Sequence, residues 1–362
     1  MDYIEKIEKK VFLKSKPYLG FTLISFLLIS CSAGGSSSNS SLSTSQQFAA
    51  NVTNKSLMLN QQSEKLSAVA FSSTLESTTV LPQAYLLTAS NNYTNKLYSY
   101  NQESWQENLI TTAESNFLPS LMVAAKNGLY ISGTADGTSQ NSNIRLYFYA
   151  NNMMQSVESI PFTQYCTNYC QIQALAPNND GSAIYVAGVD DRGVELYLFD
   201  GNNWSQLPQM PGAAESIAVP PNGQMMYTLH INALTTDKNN NLYAGGRVGT
   251  LKGPYVGYYS KYVNNVWNEE QVPNSLYNSV SGIVKINDLL YLSGITSIDS
   301  PTTSYSIIKT TNNLIGQEAI YHYTYSSTTE YANLSSIYTD VYGSIYIFAD
   351  NHNGPLLLIG RW

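Results

Sequence analysis

Residues able to do chemistry are few in this chain, and their spacing says more than their number. Histidine occurs three times, as His230, His322 and His352. None stands at metal-ligand spacing, and HExxH, the phosphate-binding P-loop and the GxSxG nucleophile elbow are all missing. His322 lies between tyrosines in IYHYTY and reads as a surface histidine rather than a ligand. Cys166 and Cys170 in CTNYC offer two thiols with no histidine nearby, too few ligands for a metal. In an oxidising compartment they can form a disulfide, which is preferred here over free thiols. So small a loop would stabilise by only about 2 kcal/mol on the loop-entropy model. Asp190-Asp191 in AGVDDRG raises the chemistry of a carboxylate pair, but solvated loop acids are the plainer reading. No catalytic residue, cofactor or metal is therefore assigned, and an enzyme without a recognisable motif stays as the third functional alternative.

The chain begins with a segment that does not belong to the fold. Five lysines, Lys6, Lys9, Lys10, Lys14 and Lys16, precede the apolar run GFTLISFLLIS at 20–30, which is too short to span a bilayer. The run ends in Leu28-Ile29-Ser30-Cys31, which resembles the bacterial lipobox. The resemblance implies a signal peptide over 1–30 and a diacylated Cys31 (palmitate-type chains) at the mature N-terminus. Ser32 rather than Asp after the cysteine implies the outer membrane. An ordinary signal peptide, with Cys31 incidental, is the alternative. Residues 31–50 then form a Ser/Gly-rich, uncharged tether, with a reach of roughly 25 Å for ~19 residues. The expected address is the bacterial cell envelope, lipid-anchored and either periplasmic or surface-facing.

Residues 51–362 are the globular body. The whole chain has 29 Tyr and only 12% charged residues, with a net charge of −7. Such a composition favours many short strands and turns. It also lacks the basic stripe that nucleic acid requires, so nucleic acid is excluded as a partner.

What positions the scattered polar groups is a repeat. KLYSYNQESW (96–105), RLYFYANNMM (145–154), ELYLFDGNNW (195–204), GYYSKYVNNVW (257–267) and YSIIKTTNNLI (305–315) share one grammar: an apolar strand, a polar pair, and re-entry on Trp, Met or Leu. Asn tolerates the left-handed backbone that a two-residue hairpin turn demands. A second hairpin precedes each of them, as in LPSLMVAAKNGLYISG (118–133), IQALAPNNDGSAIYVAG (172–188) and INALTTDKNNNLYAGG (231–246). Tyr130, Tyr185, Tyr243, Tyr291 and Tyr346 recur at intervals of 55, 58, 48 and 55. Four short strands per unit of this length predict an all-β, six-bladed β-propeller. The hairpin-like ESIAVPPNGQMMYTL (215–229) has no companion and reads as an insertion, with a seven-bladed ring as the alternative. The last repeat runs out of chain in its third strand. TNKSLMLNQ (53–61) is therefore expected to close the last blade as its outer strand, since an open edge invites aggregation.

Residues 184–211 resemble the repeat of kelch and galactose-oxidase-like propellers, which pair IYVxGG with a VYxYDxxxNxWxxLPxMP line. The double glycine survives only at Gly245-Gly246. Trp204 reads as a filler of the gap between blades, with a sugar-stacking Trp as the alternative. Turns at one end of the repeats are clipped to a few Asn, Asp and Gly. Longer segments gather at the other end: 133–143, 162–170, 246–254, 294–304 and 322–332. Recognition concentrates on loops held by a rigid scaffold, and Tyr, Ser, Asn and Gly suit adaptable contact surfaces. The candidate surface comprises Tyr165, Tyr169, Tyr305, Tyr323 and Tyr325, with Asp136, Asp190 and Arg192 for polar specificity. The sequence thus points to an envelope lipoprotein acting as a protein recognition or assembly scaffold, with a carbohydrate-binding protein as the alternative. Its partners would be the membrane through the lipid and another envelope or surface protein, or a glycan.

Overall fold

Strands of six to eight residues with apolar side chains on both faces need cover on both sides, and this chain supplies it by stacking one sheet on the next. The computed structural model describes residues 53–56, 64–71, 84–90, 95–100, 104–110, 116–135, 144–166, 170–213, 216–219, 224–227, 229–249, 256–271, 279–286, 288–299, 302–311, 318–325, 333–339, 345–351 and 354–360. The proposed signal peptide, Cys31 and the tether lie outside them.

Six four-stranded sheets, all antiparallel, occur among the described residues. Before them in the chain is β1 (Thr53–Ser56). The first sheet is β2 (Glu64–Phe71), β3 (Ala84–Ser90), β4 (Asn95–Tyr100) and β5 (Trp105–Ile110). The second is β6 (Leu118–Ala125), β7 (Gly128–Thr134), β8 (Ile144–Ala150) and β9 (Met153–Ser156). The third is β10 (Gln171–Pro177), β11 (Ile184–Asp190), β12 (Gly193–Phe199) and β13 (Trp204–Gln206). A separate two-stranded hairpin, β14 (Ser216–Val219) and β15 (Gln224–Tyr227), occupies the segment that broke the period. The fourth sheet is β16 (Leu229–Thr236), β17 (Leu242–Val248), β18 (Val256–Val263) and β19 (Val266–Gln271). The fifth is β20 (Ser279–Ile286), β21 (Leu289–Asp299), β22 (Thr302–Thr311) and β23 (Glu318–Tyr325). The sixth holds β24 (Asn333–Thr339), β25 (Ile345–Asn351) and β26 (Gly354–Gly360), and its fourth member is β1. Thr53 to Ser56 pair antiparallel with Ile359 to Leu356, so the two ends of the body share one sheet.

The first strands make the ring. β2 neighbours β6, β6 neighbours β10, and so on through β16, β20 and β24, which in turn neighbours β2. Four-stranded antiparallel sheets whose inner strands close a cycle form a β-propeller. The core is accordingly divided into slabs between sheets. Leu87, Leu97 and Ile131 pack between the first and second sheets, and Val123, Leu146 and Val186 between the second and third. Ala187, Leu196 and Leu234 pack between the third and fourth, and Tyr243, Tyr259 and Leu292 between the fourth and fifth. A strand such as β11 is buried along its whole length because it faces a neighbour on each side.

Two of the Asn-Asn turns adopt the left-handed backbone their sequence favours, while in the turn of the third sheet the positive φ falls on Gly201, at 98°. Asn151 and Asn152 have φ of 51° and 61°, and Asn264 and Asn265 have 52° and 64°. In the first, third and fourth sheets a Trp after the turn packs on an aromatic residue at or next to the end of the preceding strand. Trp105 lies 5.1 Å from Tyr100, Trp204 4.6 Å from Phe199, and Trp267 5.0 Å from Tyr262, between ring centroids.

Some segments expected as loops are strands. Most of 294–304 extends β21 and β22 into a longer hairpin, and His322 to Tyr325 belong to β23. Alternating Thr, Ser, Ile and Tyr there favour ladder pairing over an open loop.

Candidate functional site

The structure gathers three of the candidate residues at one end of the third sheet. β11 and β12 are joined by a two-residue turn, Asp191-Arg192, with Asp190 opposite Gly193. Gly193 takes φ 125°, a conformation that side chains rarely adopt. Asp190 is no solvated loop acid: it is fully buried. The strand before it is covered on both sides, and the tight turn folds Arg192 back over the carboxylate. Asp190 Oδ1 accepts the backbone N–H of Arg192 at 2.7 Å. The guanidinium donates through Nε to Oδ1 and Oδ2 at 3.3 and 3.1 Å, and through Nη2 to Oδ2 at 2.7 Å. Hydrogen bonding to Asp190 pushes the guanidinium still further from deprotonation, against a smaller opposing cost of desolvation. Glu195 Oε1 lies 3.7 Å from Nη2, and its Oε2 accepts from Gln206 Nε2 at 2.5 Å.

Tyr165 completes the cluster. Arg192 Cζ sits 3.5 Å from the centroid of its ring, within cation–π range. Tyr165 ends the 3-10 turn Pro161–Tyr165, which a proline starts and which buries Phe162. The Phe162 ring occupies the space a side chain at position 188 would need, so Gly188 is required there. Just beyond the turn, Cys166 and Cys170 form a disulfide with Cα atoms 5.7 Å apart. Tyr165 is 42% exposed and the Arg192 side chain 39%, so the pair presents a flat aromatic–guanidinium platform to solvent.

The other candidates stand elsewhere. Tyr169 and Asp136 lie outside the described residues. Tyr305 and Tyr323 are direct cross-strand partners on β22 and β23, and Tyr325 stands opposite Thr303. They share the hairpin end of the fifth sheet, with the fourth sheet between them and Tyr165.

A second set of residues escaped the sequence reading. Every inner strand has a β-bulge at the same place, leaving Ser67, Ser120, Gln173, Asn232, Ser281 and Ser335 as the extra residue. Three of them reach the next inner strand at the residue just before its own bulge. Ser67 Oγ donates to the Pro119 carbonyl at 2.8 Å, Gln173 Oε1 accepts the Ile231 N–H at 3.0 Å, and Asn232 Nδ2 donates to the Val280 carbonyl at 3.0 Å. The signal was present as one uncharged polar letter after the first apolar one: LS, PS, IQ, IN, VS and LS.

Two tryptophans join sheets, and one of them, Trp267, also lines a groove. Trp204 Nε1 donates to the Glu158 carbonyl at 3.3 Å and Trp267 Nε1 to the Pro208 carbonyl at 2.8 Å, each reaching the exit of the preceding sheet. A groove of about 500 Å³ beside Pro208, Met210, Pro211, Val266 and Trp267 is a by-product of that junction.

No protein-family model matches the chain, and no curated protein sequence matches it. Solved structures do. AofleA from Arthrobotrys oligospora is 10% identical, covers 86% of this chain and 87% of its own, and has a TM-score of 0.54. The Trypanosoma rangeli sialidase in complex with the inhibitor DANA is 11% identical and covers 86% of this chain and 59% of its own, with a TM-score of 0.53. The Dos1 propeller, 9% identical, covers 82% of this chain and 68% of its own at a TM-score of 0.45. At these identities the likeness is one of fold.

Proposed function

We propose that this chain is a six-bladed propeller lipoprotein of the bacterial envelope that acts as a recognition or assembly scaffold for another envelope protein. Lipidation at Cys31 anchors it, most simply to the outer membrane, and residues 31–50 are its leash. The closed cycle of six inner strands supports the blade count, with β14–β15 as an insertion. Kelch-like descent is supported by the way residues 184–211 fall on β11, β12, β13 and the proline exit.

The observation that carries the functional reading is the Tyr165–Arg192 platform. Tyr and Arg are the residue types that dominate protein interfaces when held rigidly at a partly exposed position. Here Asp190 fixes the guanidinium, and the Tyr165 ring packs on it. The sugar-stacking alternative loses Trp204, whose ring is engaged by Phe199 and whose N–H is spent on Glu158.

Photo-crosslinking in intact cells tests the reading. A photoreactive residue at position 165 should give a discrete adduct with a second envelope protein, and one at position 202 should not. No adduct from 165, or the same adducts from both positions, would remove the platform from the recognition surface. Labelled palmitate should enter the wild type and not Cys31→Ser; equal labelling would overturn the anchor.

A further inference from the structure

We propose that the Cys166–Cys170 disulfide is a redox-sensitive clamp that sets the pose of Tyr165 on Arg192. The proposal rests on the recognition reading of Tyr165 for its biological meaning, but not for its physics. The short turn that carries Tyr165 is held at two points. On its N-terminal side, Phe162 is fully buried against Gly188 and the second and third sheets. On its C-terminal side, the hold is Cys166, bonded to a Cys170 that is buried at the start of β10. Tyr165 lies between the two anchors, one residue from the disulfide.

What else holds that side is slight. The turn's internal bonds are Thr163 N–H to the Ile160 carbonyl at 3.2 Å and Cys166 N–H to the Thr163 carbonyl at 3.3 Å, with Thr163 Oγ1 to Ile160 at 2.7 Å. Tyr165 is half out in water and its stacking on Arg192 is a single contact. Arg192, by contrast, keeps its place through Asp190 whatever Tyr165 does. Opening the disulfide therefore frees the aromatic half of the platform and leaves the cationic half fixed. A dithiol performs the step in balance. Its thiolate attacks one sulfur to form a mixed disulfide, and its second thiol displaces that sulfur. The dithiol leaves as a cyclic disulfide, and two electrons and two protons remain on Cys166 and Cys170 as thiols.

Hydrogen exchange read by mass spectrometry tests the clamp on the full-length protein, comparing the oxidised form, the dithiothreitol-treated form and Cys166→Ser/Cys170→Ser. Exchange in peptides covering Pro161–Cys166 should rise by about tenfold or more in the second and third samples, as expected for a local opening. Peptides covering the Asp190–Gly193 turn should stay unchanged in all three. Unchanged exchange at Pro161–Cys166 would overturn the clamp. So would a rise spread evenly over β10 to β13, which marks a general staple. Crosslinking from position 165 is scored separately on the same samples. A clamp that opens while 165 captures nothing in either state sustains the clamp and defeats the recognition reading alone.

Discussion

The third sheet uses an aspartate at each of its two ends, and the two behave differently. At the outer hairpin, Asp200 spends its carboxylate on its own turn, accepting the N–H of Asn202 at 2.9 Å and of Asn203 at 2.6 Å. It is exposed, and its hydrogen bonds stay within the turn, though its charge adds to burial, the larger cause, in raising the titration of the Tyr130 phenol in the second sheet. At the opposite end Asp190 is fully buried and spends its carboxylate on Arg192, which carries Tyr165 in turn. One aspartate closes a loop; the other supports a surface. In the fourth sheet one aspartate does both. Asp237 Oδ1 accepts the N–H groups of Asn239 and Asn241 at 2.8 and 3.0 Å and closes the turn between β16 and β17, while its Oδ2 accepts the Tyr243 hydroxyl at 3.0 Å. A polar group that satisfies its own turn adds order locally. One that fixes a neighbour's charge hands that order on to whatever the neighbour touches.

The contrast assumes a closed ring, and opening it should have the largest effect. Removing residues up to Ser56 strips β26 of its outer partner. Several ladder hydrogen bonds, each worth about 1 kcal/mol net, are then unmade, and urea unfolding should show a loss of roughly 3 kcal/mol or more. Removing only residues 32–45 should leave the midpoint in place; equal midpoints for both truncations would break the closure.

Next, Arg192→Ala leaves Asp190 buried without its cation and should cost about 3 kcal/mol. Asp200→Ala removes only a turn-closing acceptor at the surface and should shift the unfolding midpoint clearly less. If the two variants unfold at the same denaturant concentration, the two aspartates are equivalent after all. Third, Asn264→Ala places a side chain with no turn-forming group in a left-handed position, for a cost of about 1 kcal/mol, while Asn264→Gly should stay within a few tenths. Tyr165→Ala should leave stability unchanged in the same assay yet abolish the crosslink partner's retention.

The smallest effect is one of pH. The turn's backbone N–H groups, that of Asn203 first, hold the Asp200 carboxyl below its ordinary 3.8. A depressed folded value means that the group's contribution is complete above the unfolded value and fades as the pH falls below about 4. Wild type and Asp200→Asn should therefore converge in stability between pH 5 and pH 3. A gap that stays constant over that range would show that the charge is not what the turn uses.

Much of the scaffold could be read from residues alone. Asn151-Asn152 and Asn264-Asn265 announced left-handed turns. Trp204 was expected between blades and bonds the exit of the preceding sheet, and TNKSLMLNQ was expected to close the last blade, which its first four residues do. Tyr165 and Arg192 were named for their place on the loop end, but the sequence carried no sign that they touch. Their contact depends on Gly188 admitting Phe162, a relation between different turns of the chain. The burial of Asp190 was hidden for a similar reason. Two adjacent aspartates look like a wet turn until the neighbouring sheets cover one of them. The bulge residues were visible as single polar letters in apolar runs, but their meaning needed the next inner strand. Residues 294–299, 302–304 and 322–325 are strand where a loop was expected, because segment length was weighed above their alternation.

The pairing of β1 with β26 also dictates an order of events in synthesis. Thr53 must wait for Ile359, so the sixth sheet cannot be finished until residue 359 has emerged. Until then, the inner strands can stack in sequence while both terminal sheets keep an open edge. A product that stops between β25 and β26 would leave β1 without its partner strand, the kind of species that chaperones hold and proteases clear. Once β26 has formed, β1 is paired along it. Pulling on the N-terminus therefore loads the sheet made last, and the joint that closes the molecule is also the one that an anchor at that end would strain first.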